Sequence, residues 1–485
     1  MLIVLAAAGL STICVTAAGA TPREADATAV TQQGRARPLH TAMLDPHSFA
    51  YAAPRDQQTA LKRVASTGAR FVRLVIGWNL VAPERPQKPQ GFDARNHRDP
   101  LYNWTTSDAL LRLVTSNGLT PIVYVQGAPK WAWGQESILE TPVMPSPAAL
   151  ADFATALATR YPRVRYWQVW NEPNLWQFLY LQHDEKGKNF SPGWYRAMVN
   201  AMAKAVHRVQ RNDVVIAGAL APYGGGEGRI RPMEFMRDML CMSKGANPRA
   251  TCNEKTEFDV WAHHAYSYGG PTSNALHADD VAVGDLREMR SLLMAAKRAG
   301  RVVSRGEPGF WVTEYSYESR PPDKKGVPLP LLTRWVSESL YRMWQDGVSL
   351  VTWFYLRDGP TNEPFQSGLY FRSAKGVSGD TPKPALRAFR FPFVAFREKG
   401  GGISFWGRTP RGFRAKVVVE QSAGGGWRRV ATPAVDRYGI FSGTIKKARP
   451  TGSLRVKLSN GGDVSAPFSL KVPKDRRFCL FGVIC

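Results

Sequence analysis

The stretch of residues 164–174 constrains the fold of this 485-residue chain more than any other part of its sequence. The first half of the stretch is rich in apolar and aromatic residues, which indicates a buried strand. That strand must stop at Asn171-Glu172-Pro173, because proline cannot continue the pairing of a central strand. A carboxylate and a carboxamide are therefore predicted at the C-terminal tip of a strand, where (β/α)8 barrels build their active sites. The alternative is that Glu172 caps the next helix or forms a surface ion pair.

A second carboxylate stands in a similar setting. Glu314 follows a short apolar run at residues 310–313, which predicts another buried strand that ends in an acidic residue. Glu314 lies 142 residues after Glu172, and this spacing corresponds to three to four βα units of about 40 residues each. Glu172 then ends strand 4 and Glu314 ends strand 7, and such positions can face each other across the mouth of the barrel. The alternative for Glu314 is a structural carboxylate.

The two motifs resemble those of a large clan of retaining glycoside hydrolases with (β/α)8 barrels, which includes cellulase-like, β-xylosidase-like and iduronidase-like families. In that clan an Asn-Glu-Pro motif on strand 4 carries the acid/base, and strand 7 ends in the nucleophile. The resemblance covers about residues 40–395. It implies Glu172 as acid/base, Glu314 as nucleophile and Asn171 as a partner of the sugar 2-hydroxyl.

Three further polar residues are expected near these glutamates. Arg73 lies within predicted strand 2, and a charge that points into the barrel must be paired because an unpaired buried charge is costly. The resemblance implies that Arg73 approaches Glu314; the alternative is an arginine that faces an outer helix. His264 and Tyr266 end strand 6 and share a face, since adjacent strand residues point in opposite directions. The alternative for His264 is a hydrogen-bonded core histidine.

Aromatic residues supply the remaining substrate-binding candidates. Trp353 in strand 8 resembles the tryptophan that lies under the sugar at the cleavage point in the clan, with core packing as the alternative. The predicted βα loops also contain many aromatic residues, on which the apolar faces of sugar rings can stack. Trp131 and Trp176 are the candidates chosen among them.

The whole chain is predicted to be an α/β protein, with a (β/α)8 TIM barrel at residues 38–397 and a small antiparallel β-sandwich at residues 398–485. Strands alternate with helical patterns through the first part, as a parallel barrel requires. Past residue 398 the apolar and basic residues alternate with a period of two between glycine-rich turns, which is typical of antiparallel strands. The predicted barrel strands lie at residues 40–44, 71–76, 120–126, 164–170, 214–217, 258–264, 310–313 and 350–355.

The amino terminus predicts export. Residues 1–20 form an apolar, alanine-rich run that ends in Ala18-Gly19-Ala20 and resembles a signal peptide, although no basic residue follows Met1. A single membrane anchor is the alternative. Residues 21–37 are polar and are expected to be a flexible segment. The mature protein is therefore expected to be secreted or associated with the cell envelope.

The cysteine count agrees with export. Without Cys14, four cysteines remain, and an even number in a secreted chain indicates disulfides. The most economical pairing is Cys241 with Cys252 and Cys479 with Cys485; other pairings and free thiols are the alternatives. No cysteine belongs to a zinc-type motif. Neither a metal site nor a cofactor is predicted.

The net charge of +25 is concentrated towards the carboxyl terminus, where residues 401–485 contain 16 Lys and Arg against 4 Asp and Glu. A basic surface attracts anionic polymers, so polymers of the cell envelope are possible partners besides an oligo- or polysaccharide substrate. The alternative is an ordinary solvated face, and no motif indicates nucleic-acid binding. The predicted function is an exported glycosidase that acts with retention by a two-glutamate double displacement. The competing interpretation is a non-catalytic barrel that binds carbohydrate or cell envelope.

Overall fold

The computed structural model describes residues 36–133, 144–360, 363–410, 412, 415–447, 449–474 and 476–478. Its centre is a closed barrel of eight parallel strands, each paired with its neighbours in chain order. The strands are β1 (His40–Leu44), β2 (Phe71–Gly77), β3 (Thr120–Gln126), β4 (Tyr166–Val169), β5 (Val214–Leu220), β6 (Val260–His264), β7 (Gly309–Tyr315) and β8 (Leu350–Phe354). The predicted (β/α)8 barrel is thereby confirmed.

A main helix follows each barrel strand and packs on its outer side. These helices are α1 (Pro54–Ser66), α2 (Thr105–Ser116), α3 (Pro147–Arg160), α4 (Ser191–Val209), α5 (Pro232–Met239), α6 (Leu286–Arg298), α7 (Leu329–Gln345) and α8 (Pro384–Arg390). Short turns of helix lie at Pro46–Phe49, Trp78–Val81, Lys130–Ala132, Val283–Asp285 and Val377–Gly379. Two-residue strands pair Thr256–Glu257 with Val302–Val303, Ser319–Arg320 with Val327–Pro328, and Tyr370–Phe371 with Thr381–Pro382.

Local sequence explains where these helices begin. In α3 the Ser146 side chain accepts a hydrogen bond from the backbone N–H of Ala149, and Pro147 occupies the first turn. A side-chain acceptor satisfies one of the unpaired N–H groups there, and proline has none to satisfy. The helix then buries Phe153 and Leu157 in the apolar core. Like α3, each of the eight main helices begins after the loop that leaves the C-terminal end of a barrel strand.

The inside of the barrel is closed near its N-terminal end by a small apolar cluster. Its buried members come from six of the strands: Ala42, Ile122, Ile216, Ala219, Val260, Ala262, Trp311 and Leu350. Alternate residues of each strand point inward, so these side chains form layers that leave no open pore. The polar residues of the barrel lie beyond this cluster, towards the C-terminal ends of the strands.

Two antiparallel sheets follow the barrel, as predicted for a sandwich. The strands are β9 (Phe393–Arg397), β10 (Ile403–Arg408), β11 (Val417–Ala423), β12 (Gly426–Ala431), β13 (Ile440–Ile445), β14 (Ser453–Leu458) and β15 (Phe468–Ser469). One sheet has the order β9-β10-β13, and the other has the order β12-β11-β14-β15. The first sheet therefore begins with residues 393–397, which the sequence had assigned to the barrel.

The three-stranded sheet packs directly on the barrel. Trp406 of β10 lies 5.4 Å from the ring of Tyr341 and 5.5 Å from that of Trp344, both in α7. Arg408, at the end of β10, is buried and donates to the carbonyl oxygen of Leu39 at 2.8 Å, just before β1. The sheet and the barrel therefore share one continuous apolar core.

Cys241 and Cys252 form a disulfide, as predicted. The expected pairing of Cys479 with Cys485 and the expected signal peptide at residues 1–20 lie outside the described residues. Among the helices within the described ranges, none combines the length and the apolar character that a membrane crossing requires.

Candidate active site

Polar side chains from four strand ends meet at the C-terminal rim of the barrel. Strand β2 contributes an arginine, the turn after β4 contributes an amide and a carboxyl group, β6 and its loop contribute a histidine and a tyrosine, and β7 contributes a second carboxyl group. These residues are Arg73, Asn171, Glu172, His264, Tyr266 and Glu314. The structure thus brings six of the nine expected site residues together.

Arg73 is the buried centre of this group. Its side chain has no exposed surface, and it donates three hydrogen bonds. Nη1 reaches Glu314 Oε1 at 2.6 Å, Nη2 reaches Asn171 Oδ1 at 2.7 Å, and Nε reaches Gln168 Oε1 at 2.9 Å. The guanidinium also lies 4.1 Å from the ring centroid of Tyr124. The planar fork of arginine, with several fixed donors, can hold three acceptors in one geometry.

Gln168 and Tyr124 were not among the predicted site residues. Gln168 is fully buried in β4, and its Nε2 donates to the carbonyl oxygen of Trp170 at 2.7 Å. A glutamine within an otherwise apolar strand was the available signal, because a buried amide must find partners. Tyr124 gave no such signal, since tyrosine is common in strands.

Both oxygens of Glu314 accept hydrogen bonds from named donors. Oε1 accepts from Arg73, and Oε2 accepts from the hydroxyl of Tyr266 at 3.0 Å. Nδ1 of His264 lies 3.6 Å from the same Oε2. Burial and the neighbouring carboxylates raise the pKa of the Tyr266 phenol, so this hydroxyl keeps its proton and remains a donor. The carboxylate is therefore fixed in orientation, with charge-assisted hydrogen bonds on both sides.

Glu172 has a different environment. Its side chain is 15% exposed, and Oε1 lies 2.8 Å from Nδ1 of His264. Burial raises the pKa of Glu172 to about 7, against the opposing effect of the Arg73 charge. Burial also lowers the pKa of His264 to about 3, so this imidazole is neutral at ordinary pH. A carboxyl group with a pKa near neutrality can both give and take a proton under working conditions.

The two glutamates lie close together. One oxygen of Glu172, one oxygen of Glu314 and a ring nitrogen of His264 all lie within 4.8 Å of one another. Three such ligand atoms could by distance hold a metal ion. The buried guanidinium and the phenol hydroxyl already donate to both oxygens of Glu314, however, and a cation would lie beside the charge of Arg73. The arrangement is better suited to proton transfer than to holding a metal ion.

The turn that presents Glu172 has an unusual backbone. Trp170 and Glu172 have φ values of 62° and 41°, in the left-handed region that residues other than glycine rarely adopt. The backbone N–H of Glu172 donates to the carbonyl oxygen of Ala219 at 3.0 Å, and Ala219 also has a positive φ of 52°. Such conformations persist only where the surroundings fix them, and they concentrate at functional sites.

Tyr195 of α4 and Gly218 of β5 provide that fixation. The Tyr195 hydroxyl donates to the carbonyl oxygen of Val169 at 2.7 Å and accepts from the N–H of Gly218 at 3.1 Å. Gly218 has a φ of 90°, and a β-carbon at this position would lie 2.4 Å from the carbonyl oxygen of Ala262. Only glycine fits there, and the ends of β4 and β5 are thereby held in register beside Glu172.

His263 and His264 point in opposite directions, as adjacent strand residues do. His264 faces the glutamates, whereas Nε2 of His263 lies 2.8 Å from the carbonyl oxygen of Val281, on the helical side of the strand. Burial lowers the pKa of His263 to about 3. This histidine is a buried structural residue.

The expected role of Trp353 is contradicted by its position. The residue is 1% exposed, its Nε1 donates to the carbonyl oxygen of Ser367 at 3.0 Å, and its ring packs against Tyr315 and Phe389 of α8. It therefore faces the helical layer and not the barrel mouth. The neighbouring Phe354 points towards the mouth, because side chains alternate along a strand.

Trp131 and Trp176 lie in the loops after β3 and β4, at the same rim as the glutamates. Both are half-buried. Trp131 donates from Nε1 to the carbonyl oxygen of Pro83 at 2.8 Å and contacts Trp78 edge to face. The backbone N–H of Trp176 donates to the carbonyl oxygen of Gly228 at 2.9 Å. Their contact with a sugar remains a prediction.

No protein-family model matches this sequence, and no curated protein matches it either. Among solved structures, the chain is similar to a family 39 glycoside hydrolase from the gut symbiont Bacteroides cellulosilyticus, at 14% identity and a TM-score of 0.49, over 85% of this chain and 81% of that chain. It is also similar to a monomeric β-xylosidase from Caulobacter crescentus, at 18% identity and a TM-score of 0.48, over 79% and 82% of the two chains. A GH39 enzyme from Xanthomonas axonopodis pv. citri gives 16% identity and a TM-score of 0.48, over 84% and 91%.

Proposed function

We propose that this protein is a glycoside hydrolase that acts with retention of configuration. The observation that carries the proposal is the short distance between the two glutamates, whose nearest oxygens lie within 4.8 Å of one another. Retaining enzymes have carboxyl groups about 5–5.5 Å apart, whereas inverting enzymes leave about 6.5–9.5 Å for a water molecule. Oxygens of Glu172 and Glu314 within 4.8 Å of one another support the first class.

The two glutamates take different roles in the first step. Glu172, with a pKa of about 7, starts protonated and donates its proton to the oxygen of the leaving group. Glu314 attacks the anomeric carbon through a carboxylate oxygen, and the bond from that carbon to the leaving oxygen breaks. The product is a glycosyl ester of Glu314. Arg73 holds the nucleophile in line by donating to its other oxygen.

The second step reverses these roles. Glu172 is now a carboxylate and removes a proton from water, whose oxygen attacks the anomeric carbon of the ester. The bond to Glu314 breaks, and Glu314 is released as a carboxylate while Glu172 is protonated again. Each attack inverts the carbon once, so the free sugar has the configuration of the substrate. Asn171 accepts a hydrogen bond from Arg73 at 2.7 Å, and in this proposal its side chain contacts the sugar 2-hydroxyl.

A panel of nitrophenyl glycosides, with the anomer of the first product followed by NMR, tests the proposal. The wild type is expected to release sugar with retained configuration, and Glu314→Ala is expected to release none. Azide added to Glu314→Ala should yield a glycosyl azide of inverted configuration, and azide added to Glu172→Ala should yield one of retained configuration. Glu363→Ala, an exposed glutamate that pairs with His47, is the control and should retain activity.

The competing interpretation is a barrel that only binds carbohydrate. A protein that only binds carbohydrate does not require a carboxyl group whose pKa is raised to about 7 beside a second carboxylate. The same panel separates the two functions, because a binding protein would release no sugar and would keep its affinity in Glu172→Gln. If the first sugar that the wild type releases has inverted configuration, the protein is a hydrolase but does not act with retention.

We further propose that the protein is exported and that the basic C-terminal sheets contact anionic polymers of the cell envelope. The Cys241–Cys252 disulfide supports export, since disulfides persist in oxidising compartments. Arg428 and Arg429 of β12 are exposed beside other basic residues of that sheet. Retention on an immobilised polyuronate that falls steeply with salt would support this contact. Unchanged retention in an Arg428→Ala/Arg429→Ala variant would contradict it.

A further inference from the structure

Gln168 lies where the apolar cluster inside the barrel meets the charged site. Its side chain is fully buried, and its neighbours in register are Tyr124 of β3 and Ile216 of β5. Ile216 belongs to the apolar cluster, whereas the ring of Tyr124 lies against Arg73. An amide at this depth needs hydrogen-bond partners from the protein, because a buried polar group without partners is destabilising.

The two partners of Gln168 fix the direction in which its amide points. Nε of Arg73 donates to Oε1 at 2.9 Å, and Nε2 donates to the carbonyl oxygen of Trp170 at 2.7 Å. A guanidinium only donates and a carbonyl oxygen only accepts. The position therefore requires one acceptor and one donor on the same side chain, and glutamine supplies both without a charge.

These two bonds close a loop between the arginine and the turn after β4. Nη2 of Arg73 donates to Oδ1 of Asn171 at 2.7 Å, and Asn171 directly follows Trp170. Gln168 thus holds the peptide carbonyl of Trp170, while Arg73 holds the next side chain. Nη1 of the same guanidinium donates to Oε1 of Glu314 at 2.6 Å. The loop therefore joins one glutamate to the turn that presents the other.

The backbone of that turn depends on such support. Trp170 and Glu172 have positive φ values of 62° and 41°, and residues other than glycine keep such values only where their surroundings fix them. The carbonyl oxygen of Trp170 is held by Gln168, and its indole Nε1 donates to the carbonyl oxygen of Phe178 at 2.6 Å. Loss of the amide would free the peptide bond that leads towards Glu172.

We propose that Gln168 is a positioning residue, whose neutral amide sets the two glutamates relative to each other by joining Arg73 to the turn that presents Glu172. The inference rests on the proposed glycosidase function and assigns to it a residue that acts through Arg73 and through the backbone of Trp170. A carboxylate at this position would have no proton to donate to the Trp170 carbonyl oxygen. It would also compete with Glu314 for the positive charge of Arg73.

The first test replaces Gln168 with methionine, which has a similar length but no amide. On the glycoside that the wild type hydrolyses fastest, kcat should fall about 10- to 100-fold, because small displacements of reacting groups have effects of that order. KM should change little, since the change acts on the reaction more than on binding.

Gln421→Met is the matched control. Gln421 is 3% exposed in β11, and its Nε2 donates to the carbonyl oxygens of Arg449 and Thr451. The control should lower Tm because it also removes a buried amide, but it should leave kcat at the wild-type value.

The leaving group separates the two glutamates. A dinitrophenolate leaves without a proton, so cleavage of a dinitrophenyl glycoside requires Glu314 as nucleophile but not Glu172 as acid, whereas a phenyl glycoside of the same sugar requires both. If Gln168 positions both groups, Gln168→Met should lose about tenfold more of kcat/KM on the phenyl glycoside than on the dinitrophenyl glycoside.

Gln168→Glu tests the neutrality of the amide and also serves if Gln168→Met does not fold. It keeps the shape and the acceptor for Arg73 but adds a charge and removes the donor. Two carboxylates would then share one guanidinium. The acidic side of the kcat/KM profile should therefore move to higher pH by about one unit or more, the order by which a neighbouring charge moves the titration of a carboxyl group. Burial raises the pKa of the adjacent Tyr124 phenol, which therefore stays protonated throughout this range.

Three outcomes would overturn the inference and leave the proposed function in place. If the kinetics of Gln168→Met match those of Gln421→Met, Gln168 is a structural residue only. Equal losses on the two glycosides would show that Gln168 does not position Glu172. An unchanged acidic side of the profile in Gln168→Glu would show that the neutral amide does not preserve the charge of Arg73 for Glu314. A wild type that releases no sugar from any glycoside would instead overturn the proposed function, and the inference with it.

Discussion

Replacing Arg73 with methionine is the most informative single change in this molecule. The guanidinium donates three hydrogen bonds of 2.6–2.9 Å inside the barrel, to Glu314, Asn171 and Gln168. Its removal leaves three buried acceptors without that donor and one carboxylate without its cation. Breaking a buried ion pair from one side costs about 3–5 kcal/mol. For a chain of this size such a loss lowers Tm by about 3–5 °C.

The same variant should lose at least about 100-fold in kcat/KM, because small displacements of a reacting group have effects of that order. Urea unfolding gives the change in the free energy of unfolding, and steady-state kinetics on a nitrophenyl glycoside give the change in rate. Arg73→Lys should recover part of the stability but little of the activity. A single ammonium group cannot hold the three acceptors in one plane.

Arg95→Met is the matched control. Arg95 is 64% exposed and pairs with Asp152 at 2.7 Å; water and salt screen an exposed pair of this kind, so its loss should leave stability nearly unchanged. The double variant Arg73→Met/Glu314→Gln should cost less than the sum of its single changes, because both buried charges leave together. Equal losses of stability in Arg73→Met and Arg95→Met would refute the reasoning, since the buried site of Arg73 would then contribute nothing.

Three further outcomes are expected. Because Glu172 must be protonated to act as acid and its pKa is about 7, kcat/KM should fall about tenfold per pH unit above pH 7; a pH profile that stays flat to pH 9 would contradict this role. Gly218→Ala should cost at least about 2 kcal/mol and most of the activity, because the new β-carbon would lie 2.4 Å from the carbonyl oxygen of Ala262. Gly91→Ala, at a similar φ of 77° with open space around it, should cost only about 1 kcal/mol in the same unfolding assay. Replacing Cys241 and Cys252 together with serine should cost about 3 kcal/mol, and an unchanged Tm after this change would show that the disulfide constrains little.

The sequence predicts the barrel well because each strand is a short apolar run between clear helix signals. The structure places β1 and β3 at the predicted residues, and the other barrel strands differ from their predicted ranges by a few residues. Strand β9 was missed for a physical reason. Residues 393–396 are all apolar, so they show no alternation and resemble the end of the preceding helical segment.

The site was only partly predictable from the chain alone. Glu172 and Glu314 stand out because an acidic residue at the end of a buried strand is rare without a function. Gln168 and Tyr124 became visible only through their contacts with Arg73, which join separate strands. The prediction that Trp353 lies under the sugar was wrong because the resemblance identified only a tryptophan on strand 8. The direction in which that side chain points depends on how β8 pairs with its neighbours. The pairing of β8 with β7 shifts between Val351 and Trp353.

The contact of Arg408 with the carbonyl oxygen of Leu39 has a consequence for attempts to dissect this chain. Arg408 is the last residue of β10, and Leu39 belongs to the segment that leads into β1. The three-stranded sheet and the start of the barrel therefore share a buried hydrogen bond. A barrel produced without the sheets would leave the carbonyl oxygen of Leu39 without the Arg408 donor, and Tyr341 and Trp344 of α7 would be open to water. Chimaeras in which the two C-terminal sheets are exchanged as if they were a separate domain should therefore be insoluble. Soluble chimaeras will need the barrel and both sheets from the same parent.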